Sequence, residues 1–153
     1  MTGPADAAAP PPEIYTVRSL AQTYDLGRRL AQRLGPGDLV ALVGELGAGK
    51  TALVRGLAMG LGLDDERMVS SPTFVLVQEY PARVPVHHID VYRMADPVGE
   101  LRDLGLREML AGGVVLIEWA DRVEAALPRP HWRVEITATG ARRRRIEVRR
   151  IEA

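Results

Sequence analysis

Leu39 to Val43 and Val114 to Ile117 are apolar without a break. A short uninterrupted apolar run predicts a strand covered on both faces, as in a parallel sheet. Around these runs the period changes. Leu20, Tyr24, Leu30 and Leu34 form a helical stripe, and Ser19-Leu20-Ala21-Gln22 has capping-box form at its start. Thr51 to Leu61 predicts a second helix, with Leu53, Leu57 and Leu61 on one face. Ile14 to Arg18, Phe74 to Tyr80 and Val84 to Tyr92 predict further strands, the last interrupted early by Pro85. Pro97 to Leu110 predicts one or two short helices broken near Gly105. Ala120 to Leu127 predicts a short helix stopped by Pro128. Trp132 to Thr137 and Arg143 to Ile151 predict a closing hairpin that turns at Thr139-Gly140. Strands alternating with helices predict an α/β layer fold.

Composition narrows the class. A chain of 153 residues is long enough for one domain with a proper core, expected over 13–153. Residues 1–12 are rich in Ala and Pro, lack the charge and apolar core of a signal peptide, and are expected to be a disordered tail. The formal net charge is +0, so no global field draws in nucleic acid or a membrane surface. Cysteine is absent, which excludes disulfides, thiolate metal sites and thiol nucleophiles, and fits a cytoplasmic address. Three histidines disfavour a zinc enzyme. No apolar run approaches a membrane span.

Lys50 is the only lysine; the other basic residues are all arginine. It lies in Gly44-Glu45-Leu46-Gly47-Ala48-Gly49-Lys50-Thr51, which fits G-x-x-x-x-G-K-[ST]. A composition this biased to arginine would supply arginine wherever plain positive charge sufficed. A compact ammonium fits between phosphate oxygens in a way the planar guanidinium does not. The string also has its required context, a buried strand before it and a helix after it. Glycines turn backbone N–H groups inward around the phosphates, and the helix N-terminus adds positive potential there. Glu45, Leu46, Gly47, Ala48, Gly49, Lys50 and Thr51 are therefore candidate nucleotide contacts.

Hydrolysis also requires Mg²⁺ and an oriented water. Thr51 is the loop hydroxyl placed to ligate Mg²⁺. A second handle is expected from an acid at the C-terminal end of a buried strand, the edge that faces ligand in parallel sheets. Asp90 and Glu118 both qualify, and spacing leaves open which serves the metal and which serves water. Thr73, after Ser70-Ser71-Pro72, is a candidate sensor of the terminal phosphate. Trp119, next to Glu118, is a core residue or a wall of the site. His87 and His88 read as structural, because no third ligand stands at metal-like spacing. Arg142 to Arg145 read as a solvated edge, since a strand splits alternate side chains between two faces. The chain contains no Asn, so a guanine-reading Asn-Lys-x-Asp motif is impossible and ATP is favoured. Asp96-Pro97-Val98-Gly99 matches D-x-x-G but does not directly end an apolar strand, and reads as chance.

Taken together, the phosphate loop, Ser71-Pro72-Thr73-Phe74, His88-Ile89-Asp90-Val91-Tyr92-Arg93 and Ile117-Glu118-Trp119 resemble the TsaE (YjeE) family. The likeness runs from about Ser19 to the closing hairpin. The loop is common to many families; its order and spacing with the other three motifs is far more specific. The resemblance implies a three-layer P-loop NTPase-like fold with a mostly parallel central sheet and a C-terminal β-hairpin. It implies an ATPase of bacterial tRNA threonylcarbamoyladenosine biosynthesis that works with a TsaB–TsaD heterodimer and meets tRNA through that complex. It assigns Lys50 to the β- and γ-phosphates, Thr51 and Glu118 to Mg²⁺, Asp90 to hydrolysis and Thr73 to a switch-like loop. It points loosely to Leu20 and to Ala141 or Arg142 beside the adenine. Competing expectations are a small-molecule kinase and a nucleotide-dependent assembly module with incidental hydrolysis.

Overall fold

A computed structural model of the chain describes residues 10–45, 49–69 and 77–153. Its centre is a seven-stranded sheet of strands β1 Glu13–Val17, β2 Leu39–Val43, β3 Val77–Tyr80, β4 Val86–Asp90, β5 Val114–Glu118, β6 His131–Ala138 and β7 Arg144–Ile151. They lie in the order β1-β7-β6-β2-β5-β4-β3. The four central strands, β6, β2, β5 and β4, are mutually parallel. The flanks are antiparallel: β3 on β4 at one side, and β7 then β1 at the other. Every residue of β2 and β5 is buried, as the two unbroken apolar runs require.

Among the described residues four α-helices cover this sheet: α1 Leu20–Leu30, α2 Lys50–Gly60, α3 Pro97–Asp103 and α4 Leu106–Gly112. Alternation along the strands divides the core in two. Val40, Leu42, Leu116, Val134, Ile136 and Ile146 meet Leu26, Leu53 and Leu57 of α1 and α2. Leu39, Ala41, Ile89, Val115 and Ile117 face the opposite layer with Leu101, Val123 and Leu127. The result is the three-layer arrangement expected.

Several local expectations hold. Ser19 caps α1, its Oγ accepting from the Gln22 N–H at 3.1 Å, while Gln22 Oε1 accepts from the Arg18 N–H at 2.6 Å. The break at Gly105 separates α3 from α4. Asp96, of the D-x-x-G string, caps α3 by accepting from the Gly99 N–H at 3.2 Å. The β6–β7 hairpin forms with its turn beyond Ala138.

Two expectations need correction. Ala120 to Leu127 is not one helix but two 3₁₀ turns, Ala120–Arg122 and Glu124–Ala126. Val123, between the two turns, has φ -129 and ψ 7, which breaks the helical run, while Ala120, Val123 and Leu127 stay buried. The stripe expected of α1 is also displaced. Its buried residues are Thr23, Leu26, Gly27 and Leu30, whereas Leu20 is 66% exposed. The reason is the intimate contact of α1 with α2. A Cβ on Gly27 would lie 2.6 Å from the Leu53 carbonyl oxygen, and one on Gly56 only 2.1 Å from that of Tyr24. Glycine on each helix lets the backbones touch, so the buried face is centred on Gly27. The strand expected over Phe74 to Tyr80 is seen from Val77; residues 74–76 lie outside the described residues.

Candidate functional site

All central strands end at the same edge of the sheet, and that edge gathers the candidate chemistry. β2 leads into Gly44, and α2 begins at Lys50. Gly49, at the N-cap of α2, has φ +101, a left-handed conformation that disfavours any residue with a Cβ. Having no side chain, it makes no side-chain cap at this helix start, and helix N-termini are places where anions are favoured. Leu46, Gly47 and Ala48 lie outside the described residues, as does Thr73. Glu45 follows Gly44 and is exposed. Thr51 is the second residue of α2 and half-buried.

Lys50 is buried, with 5% exposure. Its ammonium donates to the Gly44 carbonyl at 2.8 Å and stands 3.7 Å above the centre of the Trp119 ring. Burial pushes its pKa down, and the carboxylates of Glu118, Asp90 and Asp121 push it back up. Trp119 is therefore a wall of the site, in cation–π contact with the loop lysine. Its φ of 61° is the only positive value among the described residues other than glycine. A bulky residue in that region is a strained conformation, and it turns the indole back over Lys50. The exposed Tyr92 ring stacks on Trp119 with centroids 4.7 Å apart.

Asp90 and Glu118 end neighbouring parallel strands and stand directly in register. The charges of both, with that of Asp121, raise the Lys50 pKa against the effect of its burial. Burial raises the Asp90 pKa most, with the Glu118 charge adding to it; a hydrogen bond from the Tyr92 N–H at 2.8 Å opposes the rise. Glu118 is buried, and its Oε2 lies 2.5 Å from His88 Nε2. The hydroxyl of Thr51 and two carboxylates form an oxygen-only donor set, the kind a hard cation such as Mg²⁺ takes. Asp90 and Glu118 offer such oxygens side by side at their strand ends, and Thr51 lies in the first turn of α2.

Leu20 and Arg142 sit at the same edge. A Cβ on Gly49 would be 4.0 Å from Leu20 Cδ2, so the exposed Leu20 borders the end of the phosphate loop. β1 and β7 pair with Val17 opposite Arg144, which brings the hairpin turn carrying Ala141 and Arg142 beside the start of α1. Arg142 is exposed.

Two features escaped the sequence reading. His88 is buried and bonded to the candidate metal-side carboxylate. Arg122, on the turn after Trp119, donates to the carbonyls of Val91 at 2.9 Å, of Tyr92, and of Met94 at 3.5 Å. It thereby clamps the segment that follows Asp90. Alternation along β4 places His88 on the same face as Asp90, a signal present in the sequence. The Arg122 clamp spans about 30 residues and had no such signal.

The family model described as threonylcarbamoyl adenosine biosynthesis protein TsaE matches residues 17–146. The chain is 43% identical over 127 residues to the tRNA threonylcarbamoyladenosine biosynthesis protein TsaE of Bacillus subtilis, covering 82% of this chain and 77% of that one. It is 43% identical over 112 residues to the protein of the same name from Treponema pallidum, covering 72% of this chain and 81% of the other. The crystal structure of Bacillus subtilis YdiB superposes with a TM-score of 0.73 at 31% identity, over 92% of this chain and 86% of that one.

Proposed function

This chain belongs to the TsaE family, and we propose that it is the ATP-binding, ATP-hydrolysing component of tRNA threonylcarbamoyladenosine biosynthesis. In this reading it acts in the cytoplasm with a TsaB–TsaD-like heterodimer and supports repeated rounds of modification. The observation that carries the reading is the sole lysine, buried at the start of α2, with the charges of two in-register carboxylates acting on it.

The mechanism follows from that placement. The Lys50 ammonium is already desolvated, so exchanging the Gly44 carbonyl for β- and γ-phosphate oxygens adds little desolvation cost. The N–H groups opening α2 complete the phosphate cradle. Thr51 and Glu118 would hold Mg²⁺, which when bound neutralises charge on the phosphates. Asp90 orients the attacking water; its raised pKa makes it a better proton acceptor than an exposed aspartate. Water adds to the γ-phosphorus, the bond to the bridging oxygen breaks, and ADP leaves with that electron pair. Thr73 senses the terminal phosphate. Leu20 and Arg142 flank the adenine, and Trp119 closes the lysine side. With a formal net charge of +0 the chain has no global field for RNA, so tRNA is met through the complex.

Two measurements test this. In calorimetry with Mg-ATP, Lys50→Ala is expected to lose binding, while Asp90→Ala binds ATP but turns it over at least about a hundredfold more slowly. Wild-type affinity in Lys50→Ala would refute the assignment. ATPase activity is expected to be low alone and to rise with the heterodimer; phosphate appearing on an added acceptor instead of in water would favour a kinase.

A further inference from the structure

Glu118 reaches the site with one oxygen already committed. Its Oε2 accepts from His88 Nε2 at 2.5 Å, and both side chains are at most 4% exposed. On the far side of the imidazole, Nδ1 lies 2.8 Å from the Tyr80 hydroxyl, which also lies 2.7 Å from the Gln78 side-chain amide. The strands explain the row. β3 and β4 pair with Gln78 opposite His88, and β4 and β5 pair with His88 opposite Leu116 and Asp90 opposite Glu118. Alternation puts Gln78, Tyr80, His88, Asp90 and Glu118 on one face of the sheet. A buried chain of polar groups thus crosses three strands and ends on a strand-end carboxylate beside Lys50.

We propose that His88, braced by Tyr80, is a positioning residue that holds Glu118 by Oε2 and so reserves Oε1 for magnesium on the bound nucleotide. This rests on the reading of Glu118 as a magnesium ligand. A glutamate without such a partner samples several rotamers, and ordering it on binding carries an entropic cost. A carboxylate already fixed through one oxygen avoids much of that cost. A histidine serving only as core filler has no need of this partner. Here the imidazole contacts the one buried carboxylate whose charge is felt at the phosphate-loop lysine.

The test compares ATP affinity by calorimetry with magnesium and with EDTA, in wild type, His88→Gln, His88→Asn and Tyr80→Phe, each with its melting temperature. Gln can place an amide N–H where Nε2 stands, whereas the shorter Asn stops short of Glu118. His88→Asn is expected to cut the magnesium-dependent gain in affinity about tenfold, with metal-free affinity unchanged. His88→Gln should restore most of the gain, and Tyr80→Phe, which keeps the ring but removes the brace, should lose two- to threefold, roughly. A purely structural histidine would instead lower the melting temperature and both affinities together, with no rescue by Gln. Should His88→Asn fail to fold, Tyr80→Phe and His88→Gln decide: an unchanged gain in folded Tyr80→Phe overturns the proposal. Equal magnesium gains in wild type and all variants overturn the positioning role alone. A wild type that binds ATP with no magnesium gain overturns the magnesium reading of Glu118, and this role with it.

Discussion

At the scale of single residues, the site keeps three charges close together where water is scarce. Lys50 is buried against Trp119, and Asp90 and Glu118 end adjacent strands in register. Burial works against the charged form of both Lys50 and Asp90. Mutual attraction compensates only in part, since the Asp90 pKa stays raised. A group whose pKa is raised on folding opposes folding once it is ionised, so Asp90 costs the ligand-free protein stability at neutral pH. Asp90→Asn keeps an oxygen for the Tyr92 N–H and removes the charge. It is expected to raise stability by roughly 0.5–2 kcal/mol while abolishing turnover, the usual trade at such sites. Urea unfolding at pH 7 checks it; a less stable Asp90→Asn would mean that attraction to Lys50 outweighs burial. The main residues of this cluster were legible because their signals are local. A contiguous loop string marks Lys50, and a strand end marks each acid. His88 and Arg122 were not identified as functional partners, because their roles depend on which strands and turns lie side by side.

At the scale of elements, unbroken apolar runs read correctly as β2 and β5, and Gly105 as a helix break, because each follows from period or backbone conformation alone. The α1 face was misread because a stripe of large apolar residues gives no weight to glycine. Gly27 and Gly56 instead set the contact between α1 and α2, and that contact seats the helix that begins at Lys50. Gly56→Ala gains about 1 kcal/mol of helix propensity. Against that, its Cβ would meet the Tyr24 carbonyl oxygen at 2.1 Å, and backbone cannot step aside as a flexible side chain would. Overpacking of this kind costs about 1–3 kcal/mol or more, so Gly56→Ala is expected to be destabilising and to weaken ATP binding. Gly112→Ala, with nothing within 4 Å of its added Cβ, is the matched control and should be neutral or stabilising. Equal melting temperatures for the two variants would refute the close-approach argument.

At the scale of the whole molecule, a parallel centre supplies the edge that carries the candidate site, and the antiparallel flank of β7 and β1 brings the hairpin turn and the start of α1 to it. β1 is the last strand of that flank and, like β3 at the other end, is paired on one side only, so it is a place where the sheet can open. Its main polar tie is Glu13, whose carboxylate takes two hydrogen bonds from Arg33 at 2.6 and 2.7 Å and one from the Tyr15 hydroxyl at 2.5 Å. The Arg33 guanidinium in turn lies 6.0 Å from the centre of the Trp132 ring. The hydrogen bond from Arg33, then that from Tyr15, holds the Glu13 pKa down to about 2 from an ordinary 4.5. A group depressed in this way contributes stability that is complete above about pH 4.5 and disappears as pH falls toward 2. The pair is about 40% exposed, so solvent screening leaves it roughly 0.2–1 kcal/mol, not the full value of the shift. The loss should appear locally, as opening of β1 from β7 before the parallel centre melts. Hydrogen exchange of the β1 and β7 amides, corrected for intrinsic rate, is expected to speed up by as much as about fivefold between pH 5 and pH 2.5. In Arg33→Ala those amides should already exchange faster at pH 5 and show little further change on acidification. An identical pH response in Arg33→Ala and wild type would show that the edge strand is held by its apolar contacts and ladder, and that Glu13 contributes nothing to closing the sheet.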